Sequence, residues 1–466
     1  MYRRGVHASP DVAVLRSLVS TPSARFRSGL AVGKFAPPHR GHQLLIDTAL
    51  AECDDVTVLC YSKPDFPNMP SALRAEWLRL LHPRAHVFVP ADPPPDDADG
   101  PTHRVFVRDW LAAHGIVVDV VYTSEEYGAE FSRVLGVPHR CVDQAREIVP
   151  VSGTAVRQDP GAQRRFMDPV VFRAALPHLP RSNLPETMRA VLRTDGGITV
   201  ARVPVPTLAP GEVLVRVVVA GVCRTDVAAA RGPFRAQMVL GHEASGWVAA
   251  TGEGVDRGLM GAVVAIDPRV GGGFLGVDRN GAYAEFVAVG ADRVVRLPPS
   301  LPWRKGAYVE PVAAALAIAA ALDPGERTLV LGSGRIARLL CRVLEARGFA
   351  SVTAATQVSA DADFGAVVAC DPGGDALLVA AGAARPGGTV VVRRRPGEAP
   401  QPEVSGGRQV RVVEYGDFAE AAAMLSRGLA VDDMLGEVHT FEAADRALDC
   451  PEEKKVYLAP DPECVD

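Results

Sequence analysis

A short apolar run, Leu30-Ala31-Val32, leads into Gly33-Lys34-Phe35-Ala36-Pro37-Pro38-His39-Arg40-Gly41-His42, followed by Leu44, Leu45, Ile46 and Ala49 at helical spacing. Few folds accept that order of strand, glycine turn and helix with two histidines at its start. It is the repeating unit of an α/β sheet, and the free N–H groups of such a helix start face anions. Two imidazoles beside the turn can reach phosphate oxygens. Further on, Val151-Ser152-Gly153-Thr154-Ala155-Val156-Arg157 offers hydroxyls, backbone donors and a guanidinium at a second helix start. A Ser-Gly-Thr there also serves as a plain helix cap.

Between these segments the pattern alternates. Val56 to Cys60, His86 to Val89 and Val117 to Tyr122 read as strands, while Leu73 to Leu81 and Val105 to His114 read as helices. Pro90 to Pro101, rich in proline and aspartate, reads as a surface loop. The alternation predicts a doubly wound parallel sheet whose ligand lies at the carboxyl ends of the strands, near Gly33 and Tyr122-Thr123-Ser124-Glu125-Glu126. From about Gly29 to Leu179 the chain resembles the nucleotidyltransferase superfamily, specifically the NadR-type nicotinamide mononucleotide adenylyltransferases. The resemblance implies in-line transfer of a nucleotidyl group, with His39, His42 and Lys34 stabilising charge. It implies nucleotide contacts from Gly33, Phe35, Gly41, Ser124, Ser152, Gly153, Thr154 and Arg157, and Mg2+ carried by the triphosphate. Trp77 and Trp110 are candidates either for stacking on the acceptor or for the core. No Gly-x-x-x-x-Gly-Lys-Ser/Thr loop follows Arg157, so the kinase module usual in that family is not expected.

A chain of 466 residues implies two or three cores. Net charge of -5 with scattered arginines argues against nucleic acid as a partner. The eight cysteines form no Cys-x-x-Cys pair, which fits a reducing cytoplasm. The longest apolar run, Val312 to Leu322, is too short to span a bilayer, so no membrane partner is expected. Residues 1 to 28 read as a disordered extension without a secretory signal, 29 to 180 as the nucleotidyltransferase domain and 181 to 187 as a linker.

After the linker come short strands separated by glycine and proline turns, at Val191-Leu192, Ile198 to Val200, Val213 to Val219 and Gly246 to Val248. Gly221-Val222-Cys223-Arg224-Thr225-Asp226 and Gly241-His242-Glu243 follow in order, then Gly281-Ala282-Tyr283-Ala284-Glu285-Phe286 and Glu310-Pro311. Thiolate, imidazole and carboxylate from separate segments suit a Lewis-acid site with an open position. Cysteine can equally be a small buried hydrophobe, and His-Glu can cap a turn. Residues 188 to 466 resemble medium-chain dehydrogenases of the zinc alcohol dehydrogenase type. That resemblance implies one catalytic zinc on Cys223 and His242, with Glu243 and Glu310 supplying the carboxylate, and Thr225 taking the alcohol proton. Asp226 orients a ligand, and Arg224 touches the cofactor. The family's four-cysteine lobe would fall near Asp267 to Asn280, which holds no cysteine, and Ala228 stands where many relatives carry a relay histidine.

Gly332-Ser333-Gly334-Arg335-Ile336-Ala337, after the strand Thr328 to Leu331, is a Gly-x-Gly-x-x-Ala turn, with Gly332, Gly334 and Ala337 as pyrophosphate contacts. Thr356 falls where an acid would hold the ribose of NAD, which leaves NADP and NAD both open, with Arg335 or Arg338 as candidates for a 2′-phosphate. Thr356 to Val367 is short for this fold. The expected architecture is α/β: a Rossmann-like transferase domain, a GroES-like β-rich catalytic domain over 188 to 308 and 431 to 466, and a Rossmann cofactor domain over 309 to 430. The expected function is bifunctional, a nucleotidyltransferase using ATP or CTP and a zinc-dependent NAD(P) alcohol dehydrogenase, with small-molecule substrates and a homo-oligomeric state. Alternatives left open are a phosphonate pathway enzyme carrying a cytidylyltransferase and a hydroxyalkylphosphonate dehydrogenase, and a transferase with a non-catalytic dehydrogenase-like scaffold or nucleotide sensor.

Overall fold

The structure is a computed structural model; it describes residues 26–179, 184–232, 237–271, 273–359, 362–370, 376–393, 407–449 and 453–465. The chain divides into two compact units, Met1–Ser182 and Asn183–Asp466. Most of the expected extension, and Arg181 to Asn183 of the expected linker, lie outside the described residues, as does Cys450. Phe26, Arg27 and Ser28, read above as extension, instead open the first strand. The Asp119 carboxylate accepts the N–H groups of Arg27 and Ser28 and ties that end of the strand down. Among the described residues no helix is long and apolar enough to cross a membrane.

In the first unit, β1 (Phe26–Gly33) is followed by α1 (Arg40–Glu52), β2 (Cys53–Cys60), α2 (Ser71–Leu81) and β3 (His86–Phe88). Then come α3 (Gly100–Ala113), β4 (Val120–Thr123), α4 (Gly128–Leu135), β5 (His139–Cys141) and α5 (Gly153–Gln158). The sheet is parallel throughout, in the order β3-β2-β1-β4-β5. Leu30, Ala31, Val58, Leu59, Val120 and Val121 have no exposed surface, as a strand covered on both faces requires. The chain passes to the other side of β1 when it enters β4, which opens a crevice at the carboxyl ends of β1 and β4.

The second unit joins a mainly antiparallel sheet to a parallel one. β6 (Glu212–Gly221) is central to the first sheet, with β7 (Glu243–Thr251), β8 (Val263–Ile266), β9 (Phe286–Gly290) and β10 (Val294–Arg296). The parallel sheet follows: β11 (Thr328–Leu331), β12 (Val352–Ala355), β13 (Phe364–Ala369), β14 (Ala384–Arg393) and β15 (Gln409–Val413), in the order β12-β11-β13-β14-β15. β16 (Leu435–Thr440) and β17 (Lys455–Ala459) return to the first sheet, completing the order β10-β8-β7-β6-β17-β16, with β9 also on β6. The helices used below are α6 (Arg224–Arg231), α7 (Val309–Ala320), α8 (Arg335–Ala346) and α9 (Ala376–Ala383). This is an α/β fold with a GroES-like part and a Rossmann-type part.

Candidate functional sites

In the first unit the crevice is a cavity of about 710 Å³. Gly33, Lys34, Phe35, His42, Ser124, Ser152, Gly153, Thr154 and Arg157 all line it. His39 and Gly41 do not; His39 is buried behind His42 with the two rings stacked at 3.7 Å. The backbone N–H of His39 donates to Nδ1 of His42 at 3.3 Å, which leaves the His42 proton on Nε2. Burial, His39 and Arg146 hold the pKa of His42 well below its ordinary value, so the ring is a neutral donor. His39 is pushed down to about 3 by burial, with Arg146 and Arg157 adding to it.

Ser152 caps α5, accepting the N–H of Ala155 at 3.1 Å, so the capping role weighed above is real. The Arg157 guanidinium is anchored on the carbonyl of Ala36 and on the Thr154 hydroxyl, and lies over the Phe66 ring. Lys34 forms an ion pair with Asp96 at 2.6 Å. Trp77 is core, and Trp110 stacks on His114; neither is among the residues lining the cavity.

Two cavity features escaped sequence reasoning. Arg74, fully buried, donates to the carbonyls of Met69, Tyr61 and Lys34 and so pins the turn after β1. Arg146 lines the cavity from a left-handed backbone, φ 54°, inside a turn whose Asp143 carboxylate accepts the N–H groups of Ile148 and Val149. A positive φ on arginine has no sequence signature, although Asp143 three residues earlier is a turn signal.

In the second unit the ends of three strands make the site. The β6–β7 register sets Gly221 opposite Glu243, and β17 sets Tyr457 beside Gly221. Cys223, just past β6, therefore meets His242 and Glu243 at the start of β7, and one ligand atom from each lies within 4.8 Å of the others. Gly241 makes the approach possible: its φ is 97°, and a Cβ there would stand 2.3 Å from Cδ1 of Tyr283. Nδ1–H of His242 donates to Asp226 Oδ1 at 2.9 Å, so Nε2 is the ring atom turned to the cluster, buried and without a hydrogen-bond partner; against the effect of burial, Asp226 and Cys223 raise the ring's pKa well above its ordinary value. The other Asp226 oxygen accepts the Tyr283 hydroxyl and the Cys223 N–H, each at 2.9 Å.

Burial alone would raise the Cys223 thiol, but His242 and Lys455 outweigh it and hold the pKa at about 5. Lys455 Nζ lies 2.5 Å from Glu243 Oε2. An orphaned imidazole nitrogen beside a thiolate and a carboxylate is a donor set that fits zinc. Glu310 Oε1 lies 4.0 Å from His242 Nε2, but Arg393 and the Tyr415 hydroxyl hold it. The Thr225 hydroxyl is 3.9 Å from Cys223 Sγ. Lys455, Arg393 and Tyr415 were not legible as site residues, because no local motif marks them, and Tyr283 lies within the Gly281 to Phe286 motif without a role assigned to it.

Arg224, Gly334 and Ala337 line the cleft beside the cluster, Gly332 stands at the end of β11 with φ 136°, and Thr356 is exposed past β12. The expectation that Arg335 or Arg338 serves a 2′-phosphate is corrected. The Arg335 guanidinium is buried against Tyr308, bonding its hydroxyl at 3.3 Å, and Arg338 donates to the Glu453 carbonyl at 2.8 Å.

Residues 209–299 match the alcohol dehydrogenase GroES-like domain. L-threonine 3-dehydrogenase of Bacillus subtilis is 31% identical over 193 residues, covering 36% of this chain and 56% of that protein. D-altritol 5-dehydrogenase of Agrobacterium fabrum is 33% identical over 34% of this chain and 55% of its own. The Aspergillus clavatus protein named Probable D-xylulose reductase A is 30% identical over 45% of this chain and 76% of its own. Among solved structures, a zinc-binding dehydrogenase from Sinorhizobium meliloti 1021 bound to NADP superposes with a TM-score of 0.53 at 23% identity, covering 59% of this chain and all of that one. An alcohol dehydrogenase from Escherichia coli CFT073 complexed with NADH gives 0.53 at 21%, with the same coverage. The chain belongs to the zinc-type medium-chain alcohol dehydrogenase family, with a GroES-like domain. It spans about half the length of the first curated relatives it matches, 56% and 55%.

Proposed function

We propose that the second unit is a zinc-dependent NAD(P) dehydrogenase of polyol-type secondary alcohols, and that the first is a nucleotidyltransferase. The observation that carries the dehydrogenase reading is the orphaned Nε2 of His242 facing Cys223 and Glu243. Cys223, His242 and Glu243 would hold a zinc ion that would supply a Lewis acid for the alcohol oxygen, and the cleft lined by Arg224, Gly334 and Ala337 would hold a nicotinamide cofactor as the hydride acceptor. Asp226 orients His242 so that Nε2 faces the cluster, Lys455 offsets the charge of Glu243, and the Thr225 hydroxyl accepts the alcohol proton while passing its own to water. Relatives named for altritol, xylulose and threonine support a hydroxyl-rich or secondary alcohol as the substrate class. Metal analysis with NAD(P)-coupled oxidation of a polyol panel tests this; protein that holds no zinc and oxidises none of the panel refutes it.

The transferase reading rests on the neutral His42 donor facing a cavity that Lys34 and Arg157 also line. A nucleoside triphosphate with Mg2+, ATP or CTP, would place its phosphates there, and an acceptor bearing a phosphate or phosphonate would attack in line. Catalysis is then positioning and charge stabilisation. Removing one donor of this kind costs about 100-fold to 1,000-fold in rate. Pyrophosphate release should therefore fall by that much in His42→Ala while zinc content is unchanged; undiminished release would remove the loop from this role.

A further inference from the structure

We infer that the second unit grips its nicotinamide cofactor by the nicotinamide mononucleotide half alone, the adenosine half meeting no built site. The inference rests on the dehydrogenase reading above. A dinucleotide fold is two βαβαβ halves meeting where the strand order reverses, in the order 3-2-1-4-5-6. Here the order is β12-β11-β13-β14-β15, so the chain leaves the second strand and goes straight to the far side of the first.

The third strand and its helix are missing from the adenosine half. The connection runs only from Thr356 to Asp363, whereas a helical crossover takes about a dozen residues or more. β12 is thereby the edge of the sheet, with Thr353, Ala354 and Thr356 exposed. Directly past β12, where an acid would accept the ribose hydroxyls, Thr356 stands, and the Arg338 guanidinium donates to the Glu453 carbonyl.

The other half keeps its strands among the described residues. β13, α9, β14 and β15 are present, and Cys370 and Arg393 from the ends of β13 and β14 line the cleft that Cys223 and Glu243 also line. Ser333 and Gly334 are exposed at the start of α8, which has no side-chain cap, so its N–H groups are available to one phosphate. A nicotinamide mononucleotide uses both features; an added adenosine would extend past an open sheet edge and gain little.

Cobalt-substituted full-length protein gives a readout confined to this site, because cobalt bound by the Cys223 thiolate has visible bands that respond to a neighbouring nicotinamide. It is titrated with reduced nicotinamide mononucleotide, NADH, NADPH and ADP-ribose. The three nicotinamides should give the same spectral change with Kd values within about tenfold, and ADP-ribose should not compete. NADH or NADPH binding more than about tenfold tighter than the mononucleotide, or displacement by ADP-ribose, would overturn the inference and leave the dehydrogenase reading standing. Cobalt that does not bind, or that responds to no nicotinamide, would overturn both.

Discussion

Asp226→Asn isolates what the buried carboxylate does for the metal cluster. Three donors converge on it: His242 Nδ1–H on one oxygen, and the Tyr283 hydroxyl and Cys223 N–H on the other. Asparagine has one carbonyl oxygen and an amide that only donates. The backbone N–H of Cys223 cannot change role, so the carbonyl takes that position and the amide turns toward His242. Nδ1 must then accept, which moves the ring proton to Nε2, the atom that faces Cys223 and Glu243. A protonated Nε2 cannot ligate. Loss of such an orienting partner costs about 10- to 100-fold in metal affinity, or roughly 1.4 to 2.7 kcal/mol. Zinc affinity measured by competition against a chromophoric chelator should fall by that factor, while the far-UV spectrum is retained. Affinity within twofold of the unmutated protein would show that Asp226 does not set the tautomer.

Zinc analysis of protein purified without chelator should find one ion per chain, because Cys223, His242 and Glu243 form the cluster found among the described residues and 267 to 280 hold no cysteine; two tightly held ions would contradict this. Gly241→Ala should destabilise the second unit by about 2 to 4 kcal/mol and empty the metal site, since φ 97° is strained for alanine and its Cβ would overlap Tyr283. Denaturant midpoint and zinc content check this, and an unchanged midpoint would refute it. Acid should weaken the first unit: His39 titrates near 6.5 unfolded but at about 3 folded, so its neutral burial is stable above pH 6.5 and is lost as pH falls toward 3. The slope is about 1.4 kcal/mol per pH unit for that histidine, so the thermal midpoint should fall more between pH 7.5 and 5 in the unmutated protein than in His39→Gln. Equal falls would show that His39 is not held neutral.

What the amino-acid sequence determined by itself are the features carried within a few residues. Leu30 to His42 already implies strand, turn and helix, and the motifs around Cys223, His242 and Gly332 already imply a ligand set and a phosphate turn, because backbone periodicity and side-chain chemistry act locally. The short stretch after Thr356 was also visible as a deficit. Tertiary structure alone decided the rest. Lys455 reaches Glu243 only because antiparallel register aligns the ends of β6 and β7 with β17, which lies more than two hundred residues further along the chain. Arg146 faces the first cavity because a capped turn forces its backbone left-handed. Arg335 and Arg338, one at the glycine turn and the other a turn into α8, are candidates for a 2′-phosphate by sequence position alone. Packing against Tyr308 and Glu453 turned them elsewhere, since long side chains go where burial and hydrogen bonds are satisfied, and sequence spacing does not encode that direction.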